Sequence, residues 1–149
     1  MSLAYVIDAS VAIKLFINEP LSDNADRLFA YLTAEPPALL AVPDLFYIEC
    51  ANILWKHVAR YGYPTASAAQ NLRDLGKLSL QSTPTYELGH DALQLALTYA
   101  ITAYDACYIA LAQRLKVACV TADEKLVRKL AATSLPVRWL GTLDVPPPP

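Results

Sequence analysis

Glycine is scarce, with four residues in a chain of 149. They form neither a GxGxxG fingerprint nor a P-loop, so the common phosphate-cradling nucleotide folds are excluded. There is no GxSxG elbow either, and the two histidines, His57 and His90, lie on separate predicted helices. Histidines so placed more often pack or face solvent than form a proton relay. Cysteine is limited to Cys50, Cys107 and Cys119, an odd number with no CxxC pair. That argues against a disulfide framework or a zinc knuckle and favours buried free thiols. No apolar run is long enough to cross a bilayer, and Asp8 interrupts the stretch where a signal peptide would need apolar residues. A cytoplasmic protein is expected.

Excess positive charge is also missing: the net charge is −2. This is not the balance of a protein that holds nucleic acid by charge alone. If four acids belong to a metal site, the 12 Lys and Arg outnumber the rest of the 14 acids. A bound cation would then make an acidic pocket attractive to phosphate.

What the chain has in quantity is apolar residues, 55% of the total, in a length suited to one domain. Two readings fit: a large core, or a surface covered by a partner. Residues 1–145 read as the domain and Pro146–Pro149 as an extended, frayed tail.

Short β-rich runs alternate with helical stretches. Strands are predicted at Leu3–Ile7, Leu39–Val42, Leu80–Thr83, Val117–Thr121 and Val137–Leu140. Helices are predicted over Val11–Ile17 capped by Ser10, from Pro20 to Thr33, and from a cap at Asp44 to Tyr61 before Gly62. Further helices cover Pro64–Leu78, Tyr86–Ala100, Ala103–Leu115 and Ala122–Ala132. The alternation predicts an α/β fold with a parallel sheet, whose sites sit at the carboxyl ends of strands.

Four acids stand out against this background. Asp8 ends an apolar strand and Asp123 follows another. Glu49 lies in the apolar helix segment FYIECANIL, and Asp105 lies in AYDACYIALA. Asp105 has no Lys or Arg one turn away, and the nearest same-face cation to Glu49 is Lys56, two turns on. Each acid alone has an ordinary reading as a cap or a distant ion-pair partner. Together they suggest an oxygen-rich site for Mg²⁺ or Mn²⁺. A phosphotransfer site built on Asp8 fits poorly, because the position two residues on, where a second Asp would be needed, is Ser10.

VIDASVAIKLF, PDLFYIECANIL, AITAYDACYIALAQRL and VTADEKL together resemble, in order and spacing, the motifs of the PIN domain. The resemblance is greatest to the VapC-type toxins of toxin–antitoxin pairs and covers nearly the whole chain. It implies a three-layer α/β/α fold around a parallel sheet of about five strands. It also implies metal-dependent RNA cleavage leaving 5′-phosphate and 3′-hydroxyl ends. Asp8 and Asp105 would be the main ligands, with Glu49 and Asp123 acting through water or on a second ion. Ser10, Thr121 and Asn52 would orient carboxylates or waters. Lys56 and Arg60 lead a wider set (Lys14, Lys116, Lys125, Arg128, Lys129) that could follow an RNA backbone. The resemblance further implies a homodimer and a cognate antitoxin, with Leu15, Phe16, Phe29, Leu54 and Trp55 as candidate contacts. For each of these residues taken singly, plain core is the favoured reading. The alternative function is a PIN fold kept as a non-catalytic RNA-binding or protein-interaction module.

Overall fold

Five strands alternate with seven helices in a computed structural model that describes residues 3–148. The strands are β1 (Ala4–Ile7), β2 (Leu39–Pro43), β3 (Gln81–Thr83), β4 (Ala118–Thr121) and β5 (Val137–Trp139). All neighbours pair in parallel, in the order β3-β2-β1-β4-β5. Such strands are covered on both faces, which is why β1 and β2 read as continuous apolar runs. Val6, Ile7, Leu40, Ala41, Val42 and Val120 are essentially inaccessible to solvent.

The order changes direction at β1: β2 and β3 extend to one side, β4 and β5 to the other. Open α/β sheets place their sites at the carboxyl ends of the strands beside such a switch point, here the ends of β1 and β4. The Asp8 N–H donates to the Val120 carbonyl at 3.0 Å, carrying the β1–β4 pairing one residue past the strand.

The helices are α1 (Ala9–Ala12), α2 (Ser22–Ala30), α3 (Leu45–Tyr61), α4 (Thr65–Leu75), α5 (Thr85–Tyr99), α6 (Ala103–Leu115) and α7 (Glu124–Lys129). Every residue of α6 from Ala106 to Ala112 is buried, so the helix runs through the core. A helix apolar all round has this fate, and its first turn carries Asp105 out of the core. α3 ends at Gly62, whose φ of 66° supplies the left-handed cap.

Several predicted boundaries move. α1 starts one residue before the expected cap, placing Ser10 inside the helix. α2 starts at Ser22 and not at Pro20, because Leu21 adopts a left-handed φ of 71°. The buried Ser22 hydroxyl ties this turn by accepting from Glu19 N–H and donating to the Ile17 carbonyl. α4 stops at Leu75, and α7 spans six residues, not the predicted eleven from Ala122 to Ala132. In the tail predicted to fray, the Pro146 carbonyl accepts from the Tyr31 hydroxyl at 2.8 Å, and Val145 just before it is buried. Pro149, the last residue of that tail, lies outside the described residues. All three cysteines are buried and free. Among the described residues no single helix is long and apolar enough to cross a membrane. The α5–α6 pair reaches that length only across a 115° bend.

Candidate active site

The carboxyl end of β1 places Asp8 at the switch point, beside β4. Its Oδ2 accepts two hydroxyl hydrogen bonds, from Ser10 Oγ at 2.8 Å and Thr121 Oγ1 at 2.7 Å. Both hydroxyls are themselves fixed. Ser10 Oγ accepts from Ala122 N–H at 3.0 Å, and Thr121 Oγ1 accepts from Asp123 N–H at 3.1 Å. The expected capping role of Ser10 is replaced by this one: Ser10 and Thr121 clamp Asp8 across the β1–β4 seam. Burial pushes the Asp8 carboxyl above its ordinary range, and the hydroxyl bonds only partly offset it.

Glu49 projects from the second turn of α3. Its Oε1 accepts from the Tyr108 hydroxyl of α6 at 2.6 Å. Burial raises its carboxyl, the Tyr108 bond opposes that, and the charges of Asp8 and Asp105 raise it further. Asp105 is pushed up to about 6, first by burial and then by Asp8 and Asp123. Its backbone N–H donates to Thr102 Oγ1 at 3.1 Å, capping α6 and fixing its first turn. Asp123 stands at the edge of the group. It is exposed, and its Oδ1 caps α7 by accepting from Leu126 N–H at 3.2 Å.

The charges felt by Glu49 (from Asp8 and Asp105) and by Asp105 (from Asp8 and Asp123) put residues 8, 49, 105 and 123 in one neighbourhood. No cation answers them: the ion pairs among the described residues are Lys14–Glu19, Lys77–Asp74, Arg114–Glu87 and Arg128–Glu124. Nor do any three His, Cys, Asp or Glu side chains there stand close enough to close around an ion alone. An ion in this pocket would therefore keep several waters, as Mg²⁺ does when held by one or two carboxylates.

The other candidates divide. Asn52 makes no hydrogen bond to Glu49; instead it lines a cleft of ≈ 560 Å³ with Ile48, Glu49, Ile53, Lys56 and Tyr104. Lys56 is exposed in that cleft, whereas Arg60 is exposed outside its lining. Lys14 and Arg128 are occupied by Glu19 and Glu124, and Lys129 bonds the Ala100 carbonyl. Lys116 lies at the amino ends of β4 and β5, away from the acids. His57 packs against Tyr61 and His90 faces solvent, so neither enters the site. Among the apolar contact candidates, Phe29 and Leu54 are core residues, and Leu15 and Phe16 are partly buried against the core. Trp55 alone is open, at 62% exposure. Sequence reasoning missed Tyr108 and Thr102. A tyrosine one turn after Asp105 was the available signal for the first, and a TxxD box for the second.

A doubly wound parallel sheet with unneutralised carboxylates at its switch point defines the class of an acid-site α/β/α domain. The PIN domain family model matches residues 5–131, and the chain belongs to that family. It is 33% identical over 133 residues to Ribonuclease VapC3 of Pyrobaculum aerophilum, covering 88% of this chain and 98% of that one. Among solved structures it resembles PAE2754 from the same organism, with a TM-score of 0.64, 28% identity and coverage of 95% and 94% of the two chains. Mycobacterium tuberculosis VapC20, a sarcin-ricin loop cleaving toxin, shares the fold with a TM-score of 0.64 at 16% identity, over 90% and 98% of the chains.

Proposed function

We propose that this protein is a divalent-metal-dependent endoribonuclease acting as the toxin of a VapBC-type pair. The observation that carries the reading is the neighbourhood of Asp8, Glu49 and Asp105, with the first two carboxylates oriented by hydroxyl groups and none of the three paired with a cation among the described residues. The similarity to Ribonuclease VapC3 supports the same reaction class.

The donor set suits a hard cation. Oxygen ligands that are buried and raise one another's pKa are made favourable by a bound ion. Asp8 and Asp105 would hold it directly, with Glu49 and Asp123 reaching it through water. Such an ion supplies Lewis acidity to the phosphodiester and lowers the pKa of an attacking water. The chain's own contribution is orientation. Ser10 and Thr121 fix the rotamer of Asp8, Tyr108 fixes Glu49, and the capped first turn of α6 fixes Asp105. Lys56 offers its ammonium to the RNA backbone beside the acids.

The remaining parts of the reading are a cytoplasmic location, a homodimer and an antitoxin that silences the enzyme. Exposed Trp55, beside an apolar groove between α3 and α4, supports a protein contact.

The test is Asp8→Asn in the full chain. Wild-type protein should cleave RNA in Mg²⁺ or Mn²⁺ and stop in chelator. The variant should fold and lose at least about 100-fold in rate, the scale of one electrostatic catalytic contact. Undiminished metal-dependent cleavage by the pure variant would refute the assignment.

A further inference from the structure

The cleft beside the acids has walls unlike the rest of an acidic surface. Ile48 immediately precedes Glu49, Tyr104 immediately precedes Asp105, and they are 70% and 66% exposed. Both line the ≈ 560 Å³ cleft whose wall also includes Glu49 and Lys56. Its volume is that of a small-ligand site. Lys56 is the single cation in the lining, and it has no acidic partner among the described residues. One lysine on a chain of net charge −2 cannot hold a polyanion by backbone neutralisation. Beyond what an ion at the acids would contribute, affinity here needs a contact other than charge, and an open tyrosine ring sharing the cleft with an isoleucine supplies one.

We propose that Tyr104 is a stacking platform for a single unpaired RNA base, with Ile48 opposite and Lys56 on the adjoining phosphate. The inference rests on the ribonuclease reading and adds one contact to it: a nucleotide next to the scissile bond splayed onto the Tyr104 ring. A base within a helix is already stacked and offers no free face, whereas loops and single strands do. Glu49 is shared by the cleft wall and the acid cluster, so a base seated there brings its flanking phosphate to the acids. The ring's position in the first turn of α6, held by the Thr102 cap, keeps platform and Asp105 in fixed relation.

The experiment measures binding of a short fluorescein-labelled single-stranded RNA in Mg²⁺, using full-length protein silenced by Asp8→Asn. Tyr104→Ala in that background should weaken binding roughly 10-fold, within the range for losing one base–aromatic stack. Tyr104→Phe should retain it. An abasic nucleotide scanned along the RNA should cost about as much at one position with the ring present, and nothing there in Tyr104→Ala. Lys56→Ala should instead lower the salt slope by about one and weaken intact and abasic RNA equally. Equal binding by Tyr104→Ala, or an abasic penalty that persists without the ring, overturns the platform. So does an affinity loss that merely follows a change in oligomeric state, since that makes Tyr104 a protein contact. Cleavage assays on the protein with native Asp8 separate the failures. No RNA cleavage in Mg²⁺ or Mn²⁺ sinks the ribonuclease reading, whereas cleavage indifferent to Tyr104 sinks only the platform.

Discussion

Replacing Asp105 by Asn should stabilise the metal-free protein while removing its function. In the fold the Asp105 carboxyl is pushed from its ordinary 3.8 up to about 6, by burial and by the charges of Asp8 and Asp123. A difference of that size corresponds to about 3 kcal/mol of destabilisation at neutral pH. Partial solvent access screens the repulsion, so about 1–2 kcal/mol is the reasonable expectation. The sign follows from linkage. A carboxyl with a raised folded pKa takes up a proton more readily when folded, so its penalty is absent below about pH 3.8 and complete above about pH 6. Asparagine keeps the shape and the Thr102 cap, which uses the backbone N–H. In chelator at pH 7.5 the variant should melt about 2–8 °C above wild type, and the gap should close toward pH 4. Saturating Mn²⁺ should reverse the order, since an ion at 100 times its Kd adds about 2.7 kcal/mol to whichever protein binds it. Circular dichroism melts at several pH values with and without Mn²⁺ measure all of this. If the variant is less stable than wild type in chelator at pH 7.5, or its advantage is the same at pH 4, Asp105 is not a repelled carboxylate and the argument fails.

Two further outcomes follow. Tyr108→Phe removes only the hydroxyl that holds Glu49 at 2.6 Å. It should leave the fold intact and weaken Mn²⁺ binding or lower kcat by about 10-fold; titration calorimetry with single-turnover cleavage reads this, and parity with wild type would reduce Tyr108 to packing. Gly141→Ala would put a Cβ 2.5 Å from the Trp139 ring, so the ring must move. A cost of about 1–3 kcal/mol is expected, seen as a lower Tm with altered tryptophan fluorescence; an unchanged melt would show that the ring relocates freely.

The sequence carried much of this arrangement, but not its connections. Asp8 and Asp105 were legible because a lone acid in an apolar run is anomalous. The alternation of strands and helices was enough to expect a parallel sheet. The adjacency of β1 and β4, which brings Asp8 and Asp123 near each other, depends on a crossover that no local pattern encodes. From local pattern alone Ser10 read as a helix cap, and only the family resemblance suggested a role in orienting carboxylates, because its backbone donor, Ala122, is 112 residues away. Tyr108 was not picked out at all, since its oxygen partner is 59 residues distant. Asp123 shows the converse: the local reading as a cap is correct, and the residue also adds its charge to Asp105. Helix ends were least legible where a backbone conformation such as that of Leu21 intervenes, because nothing about leucine announces a positive φ.

The choice of donors around the acids is informative in itself. An arginine or lysine beside Asp8 would lower its pKa and steady the fold, but it would also cancel the charge that a cation needs. Serine, threonine and tyrosine hydroxyls do something different. At 2.6–2.8 Å they fix the rotamers of Asp8 and Glu49 while leaving each net charge intact. The fold thus retains an electrostatic cost that neutral donors orient but do not remove. A structural carboxylate has no need of that compromise, because full neutralisation by a nearby cation would serve it better. Orientation without neutralisation is what the proposed cation site requires, since the neutralising charge would then arrive from outside, and that asymmetry supports the proposal more than the number of acids does.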